Sequence, residues 1–370
     1  MNALGIILAG GNNQRLGELT RTRAASALPV GSSYRCLDFA LSNMTNSGIG
    51  KVAVLTQYNA RSLHDHLSSS KWWNFGRKHG GLYVFSPYLS DDNPFWFRGT
   101  ADSICQNITF LHRSYEEYVV ISSGDAVYKA DFHDIVEQHE RSGADLTIAY
   151  KEAEADMNIS EYGVLNFNDE GCIIGLEEKP LKPSSEYISL GIYVIKRELL
   201  IELLEETVDQ GHYDLVRDIF IRYQHVLKYN GYLFSGYWRS VNCTKAYFDV
   251  NMDFLRNEVR SVFTKLAPFI ETKAKDEPAA KYNSGADATN CLVGSGSIIN
   301  GHVSHSVLFR NVFVGENTRI RNSIVMEASY IGSGCTIENA ILDKYVTVTD
   351  GTNINGEPQC PTIIAKGVTV

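Results

Sequence analysis

Val303, Ile320, Ile337 and Ile354 stand seventeen residues apart, and two further columns, Val307-Ile324-Ile341 and Val314-Ile331-Val348, keep the same interval. Three apolar columns at one fixed spacing suit a chain that coils so that each turn stacks on the one before. Within each turn apolar residues recur about every six, and a glycine follows some of them (Val314-Gly315, Ile331-Gly332). The spacing predicts a parallel β-helix of hexapeptide-like rungs over residues 291–370, with a sandwich of coincidental spacing as the alternative. The exposed sheet edge and flat faces of such a coil read as assembly surface. His302 and His305 fall in this region and read as solvated or packed side chains, since no acyl-carrier signature accompanies them.

The first part of the chain has a different rhythm. Ala3–Leu8, Val52–Thr56, Tyr118–Ser122, Leu146–Tyr150 and Leu190–Ile195 are apolar runs rich in β-branched residues, the pattern of buried strands. Helical patterns such as Asp38–Asn46 and Asp131–Arg141 lie between them, which predicts an α/β domain with a mostly parallel sheet over residues 1–266. The polar stretch 267–290, with Lys273-Ala274-Lys275-Asp276-Glu277-Pro278, reads as a linker or a strap across the domain junction.

In such sheets ligands bind beyond the carboxyl ends of the strands. Two stretches fall there: Leu8-Ala9-Gly10-Gly11-Asn12-Asn13-Gln14-Arg15-Leu16 and Ser123-Gly124-Asp125. A strand feeding two glycines and an arginine outlines a phosphate site, because the backbone can approach the anion and a guanidinium supplies charge. The aspartate is suited to a metal ion held against phosphate oxygens. The net charge of −9 excludes broad nucleic-acid binding, so any anionic ligand has to be met by local cations. Seven dispersed cysteines without C-x-x-C spacing read as reduced thiols, and no basic, apolar leader is seen, so the expectation is a soluble, cytoplasmic protein. His64-Asp65-His66 reads as helical and structural rather than as a metal pair, and Trp72-Trp73 with Phe75 reads as an interface cluster.

Gly10-Gly11 with Arg15-Leu16, Arg23-Ala24 and Pro29-Val30-Gly31 together open like a sugar-nucleotide pyrophosphorylase. Tyr34-Arg35, Asp38–Asn43, Asn46–Ile49, Leu55–Tyr58, Trp96–Asp102, Glu178-Lys179-Pro180 and Gly236–Arg239 narrow this, and nearly the whole chain resembles the glucose-1-phosphate adenylyltransferase (ADP-glucose pyrophosphorylase) family. The resemblance implies a Rossmann-like nucleotidyltransferase domain followed by a left-handed β-helix. It implies a reaction in which the phosphate of α-glucose 1-phosphate attacks the α-phosphorus of ATP, giving ADP-glucose and pyrophosphate for glycogen synthesis. Carried across, Arg15 and Asp125 would be catalytic, with Mg²⁺ on Asp125. Leu8, Ala9, Gly10, Gly11, Arg15, Phe97, Gly99, Thr100, Ala101, Asp102 and Gly124 would flank the nucleotide. Gly163, Glu178, Lys179 and Ser189 would bind the sugar phosphate.

The departures concentrate on the chemistry. The family's Gly-Gly-x-Gly-Thr-Arg has Asn13 and Gln14 in place of the third glycine and the threonine, and its Arg-Ala-Lys-Pro-Ala has Ala25 and Ser26. Phe97 replaces a tyrosine, Ala126 a histidine and Val216 a glycine. In Trp-Arg-Asp-Val-Gly-Thr the second metal-binding aspartate is Ser240, followed by Asn242 and Cys243. A serine hydroxyl is a far poorer ligand for Mg²⁺, so the metal site is weakened. The chain looks most like the regulatory-subunit (GlgD) branch of the family, which implies a hetero-oligomer, a tetramer, with a catalytic glucose-1-phosphate adenylyltransferase subunit. Two other readings stay open: an active adenylyltransferase with a rearranged site, and a sensor that binds ATP, ADP-glucose, glucose 1-phosphate or an effector without turnover.

Overall fold

Apolar β-branched runs form the middle of the first sheet in a computed structural model that describes residues 2–76, 80–88 and 96–370. Strand Ala3–Leu8 is central, flanked in parallel by Lys51–Leu55 and Tyr118–Ser123, with Gly81–Phe85 beyond Lys51–Leu55. Leu4 and Ile7 are fully buried, as strands covered on both faces require. Tyr187–Lys196, whose apolar run reads as one more parallel strand, runs antiparallel to Tyr118–Ser123 and to Leu146–Glu152. Gly163–Phe167 lies between Ile173–Glu178 and this strand and runs antiparallel to both. Gly163–Phe167, Ile173–Glu178 and Tyr229–Leu233 complete this half, so the sheet is mixed: parallel on one side of Tyr118–Ser123, largely antiparallel on the other.

Two helices show why the polar residues among the apolar runs matter. Helix Cys36–Asn46 begins where the Asp38 carboxylate accepts the Arg35 amide at 2.8 Å, and the other Asp38 oxygen meets His66 Nε2 at 2.6 Å. His64 turns instead to Thr56 and Ser86, at 3.0 and 3.1 Å, so the two histidines serve separate structural contacts. Helix Phe132–Ser142 is capped by Asp131 and stopped by Gly143 at φ 57°. The aromatic cluster lies elsewhere than expected: Trp73 and Phe75 are buried in the core with Trp72 against them, not in an exposed interface.

In the second part every predicted column is a ladder. Val303, Ile320, Ile337 and Ile354 pair in sequence, as do Val307, Ile324 and Ile341, and Val314, Ile331 and Val348. Corners are turned by residues of positive φ that repeat at the same interval: His305, Asn322 and Asn339; Asn311, Ala328 and Tyr345; Asn317, Gly334 and Gly351. A β-carbon on Gly315 would lie 2.6 Å from the Gly332 backbone, so stacking here leaves no room for a side chain. The coil starts earlier than the repeat suggests, because Lys281–Tyr282 and Asp287–Val293 already pair as strands inside the stretch read as a linker. Their side chains are largely exposed, and an end rung with one open face has no apolar column to announce it.

The strap before it is docked. Ser42 Oγ accepts the Glu271 amide at 2.9 Å, Trp73 Nε1 donates to the Glu271 carbonyl at 3.1 Å, and Asn46 donates to the Phe269 carbonyl at 2.9 Å. Both parts share one apolar cluster, in which Tyr247, Phe254 and Phe263 meet Val307, Phe309 and Met326. A buried bidentate pair, Arg23 to Asp343 at 2.6 and 2.8 Å, crosses the same junction.

Candidate functional site

A cavity of about 760 Å³ opens at the carboxyl ends of Ala3–Leu8 and Tyr118–Ser123, where the sheet's geometry places it. Its loop side carries Leu8, Gly10, Gly11, Arg15, Ala25, Phe97, Gly99 and Thr100 with Asp125 and Ser240; its sheet side carries Gly163, Glu178, Lys179 and Ser189. Four residues implied for the nucleotide do not line it. Ala9 and Ala101 are buried in the core. Asp102 is fully buried and binds the Arg98 guanidinium at 2.6 Å and the Arg98 amide at 2.8 Å. Gly124 faces Leu37, Ile7 and Ser26. Ala101 and Asp102 support the wall from behind, because helix Thr100–Cys105 turns Thr100 and Ser103 to the cavity and the residues between them away from it.

The sheet side converges. A β-carbon on Gly163 would lie 3.3 Å from both Glu178 Oε2 and Ser189 Cβ, which fixes how closely the three approach. Lys179 Nζ is 3.6 Å from Glu178 Oε1, and the Lys179 amide donates to the Tyr162 carbonyl at 3.1 Å. Lys179 sits at φ 51°, a conformation that costs a non-glycine residue about 1 kcal/mol. Burial pushes the Glu178 carboxyl upward and Asp214 adds to this, while Lys179 and Arg217 oppose it. Trp238 is 2% exposed, lines the cavity, and its indole N–H has no partner among the described residues. An unpartnered buried donor in a cavity wall is suited to a ligand oxygen. A lysine, a carboxylate, a hydroxyl and an indole N–H together can hold a phosphorylated sugar: Lys179 on the phosphate, Glu178 accepting from sugar hydroxyls.

The loop side has been rewired. Asn13, at an extended φ of −96°, donates from Nδ2 to the Asn242 carbonyl at 2.7 Å and accepts the Arg15 amide on Oδ1 at 3.2 Å. Thr244 Oγ1 donates to the Arg15 carbonyl at 3.3 Å, so two bonds pin the loop to the segment after Trp238–Ser240, and a glycine at position 13 could not make the one from Asn13. Arg15 itself is paired with Glu161 at 2.8 Å. Ala25 is 5% exposed and offers the cavity only a methyl group. Gly99 is fixed by crowding, since a β-carbon there would lie 2.3 Å from the Tyr213 carbonyl oxygen.

Ser240 pairs with Ala126 in a two-stranded antiparallel ribbon, and the Val241 amide donates to the Asp125 carbonyl at 2.8 Å. The serine is therefore beside Asp125, and both line the cavity. The Asp125 carboxylate accepts from the Ser123 hydroxyl; burial pushes its pKa upward, against that bond and the Lys179 charge. One carboxylate already engaged by a hydroxyl, beside a neutral serine, offers Mg²⁺ a single charged protein ligand, a weaker donor set than two carboxylates.

Sequence reasoning missed Glu161 and the carbonyl of Asn242. Glu161 is two residues before Gly163, and a carboxylate so close to a ligand-facing glycine was the available signal.

Comparison with known proteins agrees with this architecture. The family model described as nucleotidyl transferase matches residues 4–257, and that described as GlmU-like C-terminal hexapeptide matches residues 276–362. A nucleotidyltransferase domain carrying a hexapeptide β-helix is thus the class that fold and cavity define. The chain is 36% identical to a glucose-1-phosphate adenylyltransferase of Bacillus cytotoxicus over 99% of both chains. It is 35% identical to those of Bacillus mycoides and Bacillus anthracis over 97% of this chain and 96% of theirs. The chain belongs to the glucose-1-phosphate adenylyltransferase family. No helix among the described residues is long and apolar enough to cross a membrane.

Proposed function

We propose that this chain is a regulatory subunit of a glucose-1-phosphate adenylyltransferase that holds a sugar monophosphate but turns over little or none of it. The observation that carries the reading is Ser240, placed beside Asp125 by the ribbon with Ala126 where the metal's second carboxylate is needed. Loss of one preorganised electrostatic element costs roughly 10²–10³ in turnover. Ala25 and the Arg15–Glu161 pair withdraw two further cations from the same region. The intact sheet side, with Lys179, Glu178, Ser189 and an indole N–H of Trp238 that has no partner among the described residues, favours retained binding of glucose 1-phosphate over a wholly inert cavity.

On this reading the chain acts through a catalytic relative in a cytoplasmic hetero-oligomer, with the β-helix among the contact surfaces, and Mg²⁺ is not held tightly. The test is a steady-state assay with ATP, glucose 1-phosphate and Mg²⁺, on the chain alone and after co-expression with a catalytic homologue. Turnover at least about a hundredfold below the ~1 s⁻¹ low end of ordinary enzymes is expected alone, with a co-purifying complex of altered kinetics. Turnover of about 1 s⁻¹ or more by the chain alone refutes the reading, as does the absence of both complex and kinetic change.

A further inference from the structure

We infer that Glu161 is a resident anion for Arg15: an internal carboxylate that occupies the phosphate-binding face of the guanidinium, leaving the cavity selective for a monophosphate at Lys179 and closed to polyphosphate. The inference rests on the sugar-phosphate reading of the cavity and adds to it the chemistry that decides which phosphate compounds enter.

Both partners line the cavity, with Arg15 Nη1 2.8 Å from Glu161 Oε1. Neither is a loose surface charge. Arg15 is held by its own backbone, whose amide is bound by Asn13 and whose carbonyl is bound by Thr244. Glu161 ends the short turn Ile159–Glu161, closed by the Tyr162 amide on the Ile159 carbonyl at 3.0 Å, and its side chain is 20% exposed. The segment leading to that turn is anchored as well. Glu154 and Asp156 grip Arg239 at 2.7 and 3.0 Å, so one acidic stretch engages an arginine near each of its ends.

A guanidinium presents the same fork of N–H donors to a carboxylate and to a phosphate. A polyphosphate that takes the Nη1 donor of Arg15 must displace Glu161, and one that takes another donor lies beside the carboxylate, a like-charge contact. Lys179 is in a different position: it is half-exposed, and its contact with Glu178 is longer, at 3.6 Å. A single phosphate can take Lys179 without disturbing the Arg15–Glu161 pair.

The experiment is calorimetric titration of inorganic tripolyphosphate into the full chain at fixed ionic strength. The proteins are the wild type, Glu161→Gln, Glu161→Ala, and Glu161→Gln combined with Arg15→Ala, each checked by its melting temperature. The expected result is binding about five-fold or more tighter in both single variants, as removal of a competing partner from a half-exposed pair allows, with the gain lost in the double variant. Unchanged affinity in the single variants overturns the inference, and so does a gain that survives Arg15→Ala. Glucose 1-phosphate titrated into the wild type separates the two claims. Failure of that sugar to bind sinks the sugar-phosphate reading, whereas the tripolyphosphate comparison alone decides the role of Glu161.

Discussion

Arg23 and Arg15 leave the same stretch of chain and reach opposite kinds of place. Arg23 goes to the domain junction, where it and Asp343 are almost wholly buried and meet through two bonds. Arg15 goes to the cavity, where it is 48% exposed and meets Glu161 through one contact. The junction is a matter of holding two parts together, and its pair is desolvated, with Arg23 Nη2 on both carboxylate oxygens. The cavity is a matter of admitting a ligand, and its pair can be opened. The difference teaches that the same residue pairing is scaffold in one setting and gate in the other, according to how much water remains around it.

That contrast can be broken in graded ways. The largest effect belongs to Asp343→Ala, which strands a buried guanidinium and is expected to cost about 3–5 kcal/mol of unfolding free energy, read by urea denaturation. A loss under about 1 kcal/mol would make the junction pair no different from a surface one.

Next is acid. His139 is 1% exposed, with Nδ1 on Thr147 Oγ1 at 2.8 Å and no partner for Nε2 among the described residues. Burial holds its pKa down to about 4, with Lys196 adding and Asp145 opposing, against 6.5 when solvated. The unfolded chain thus takes up the proton first as pH falls. Stability contributed by the neutral ring is complete above about pH 6.5 and is lost between there and pH 4, by about 3 kcal/mol in all. Denaturation curves at pH 7 and pH 4.5 should differ accordingly, and His139→Gln should flatten the difference; equal slopes in both proteins would contradict it.

Substitutions in the cavity should instead move binding. Lys179→Ala removes a charge-assisted contact and is expected to weaken glucose 1-phosphate about 10- to 100-fold by calorimetry while leaving the melting temperature nearly unchanged. The smallest expected effect is that of Glu161→Gln on stability, within about 1 kcal/mol, because its pair is half-exposed and made through one contact. A larger loss would place Glu161 with the scaffold and erase the contrast with Asp343.

The sequence made the β-helix legible because Val303, Ile320, Ile337 and Ile354 must each touch the next, so that chain spacing and spatial contact coincide. Where that coincidence fails, legibility fails with it. The first rung has no inner column to repeat, and Tyr187–Lys196 has the composition of a parallel strand but antiparallel neighbours. Gly163, Glu178, Lys179 and Ser189 were implied only by the family resemblance, and the fold brings all four to the sheet side of the cavity. Ala101 and Asp102 were misplaced because adjacency along a helix does not mean adjacency to the cavity, and Asp102 turned to Arg98. Asn13 is only a departure from the family glycine in the sequence and is a fastener in the structure, because its partner is a backbone carbonyl at Asn242, which no side-chain pattern announces. The Arg15–Glu161 pair was invisible for the same reason: two ordinary charges, far apart in the chain, become one device only when the fold brings them to a single cavity wall.

The most direct test of the account is a single-turnover experiment with the chain in excess over labelled glucose 1-phosphate, ATP and Mg²⁺ being supplied together. The account predicts that the sugar phosphate is bound, in a manner lost with Lys179→Ala, and is recovered unchanged after many seconds. Formation of ADP-glucose at about 1 s⁻¹ or faster would contradict it.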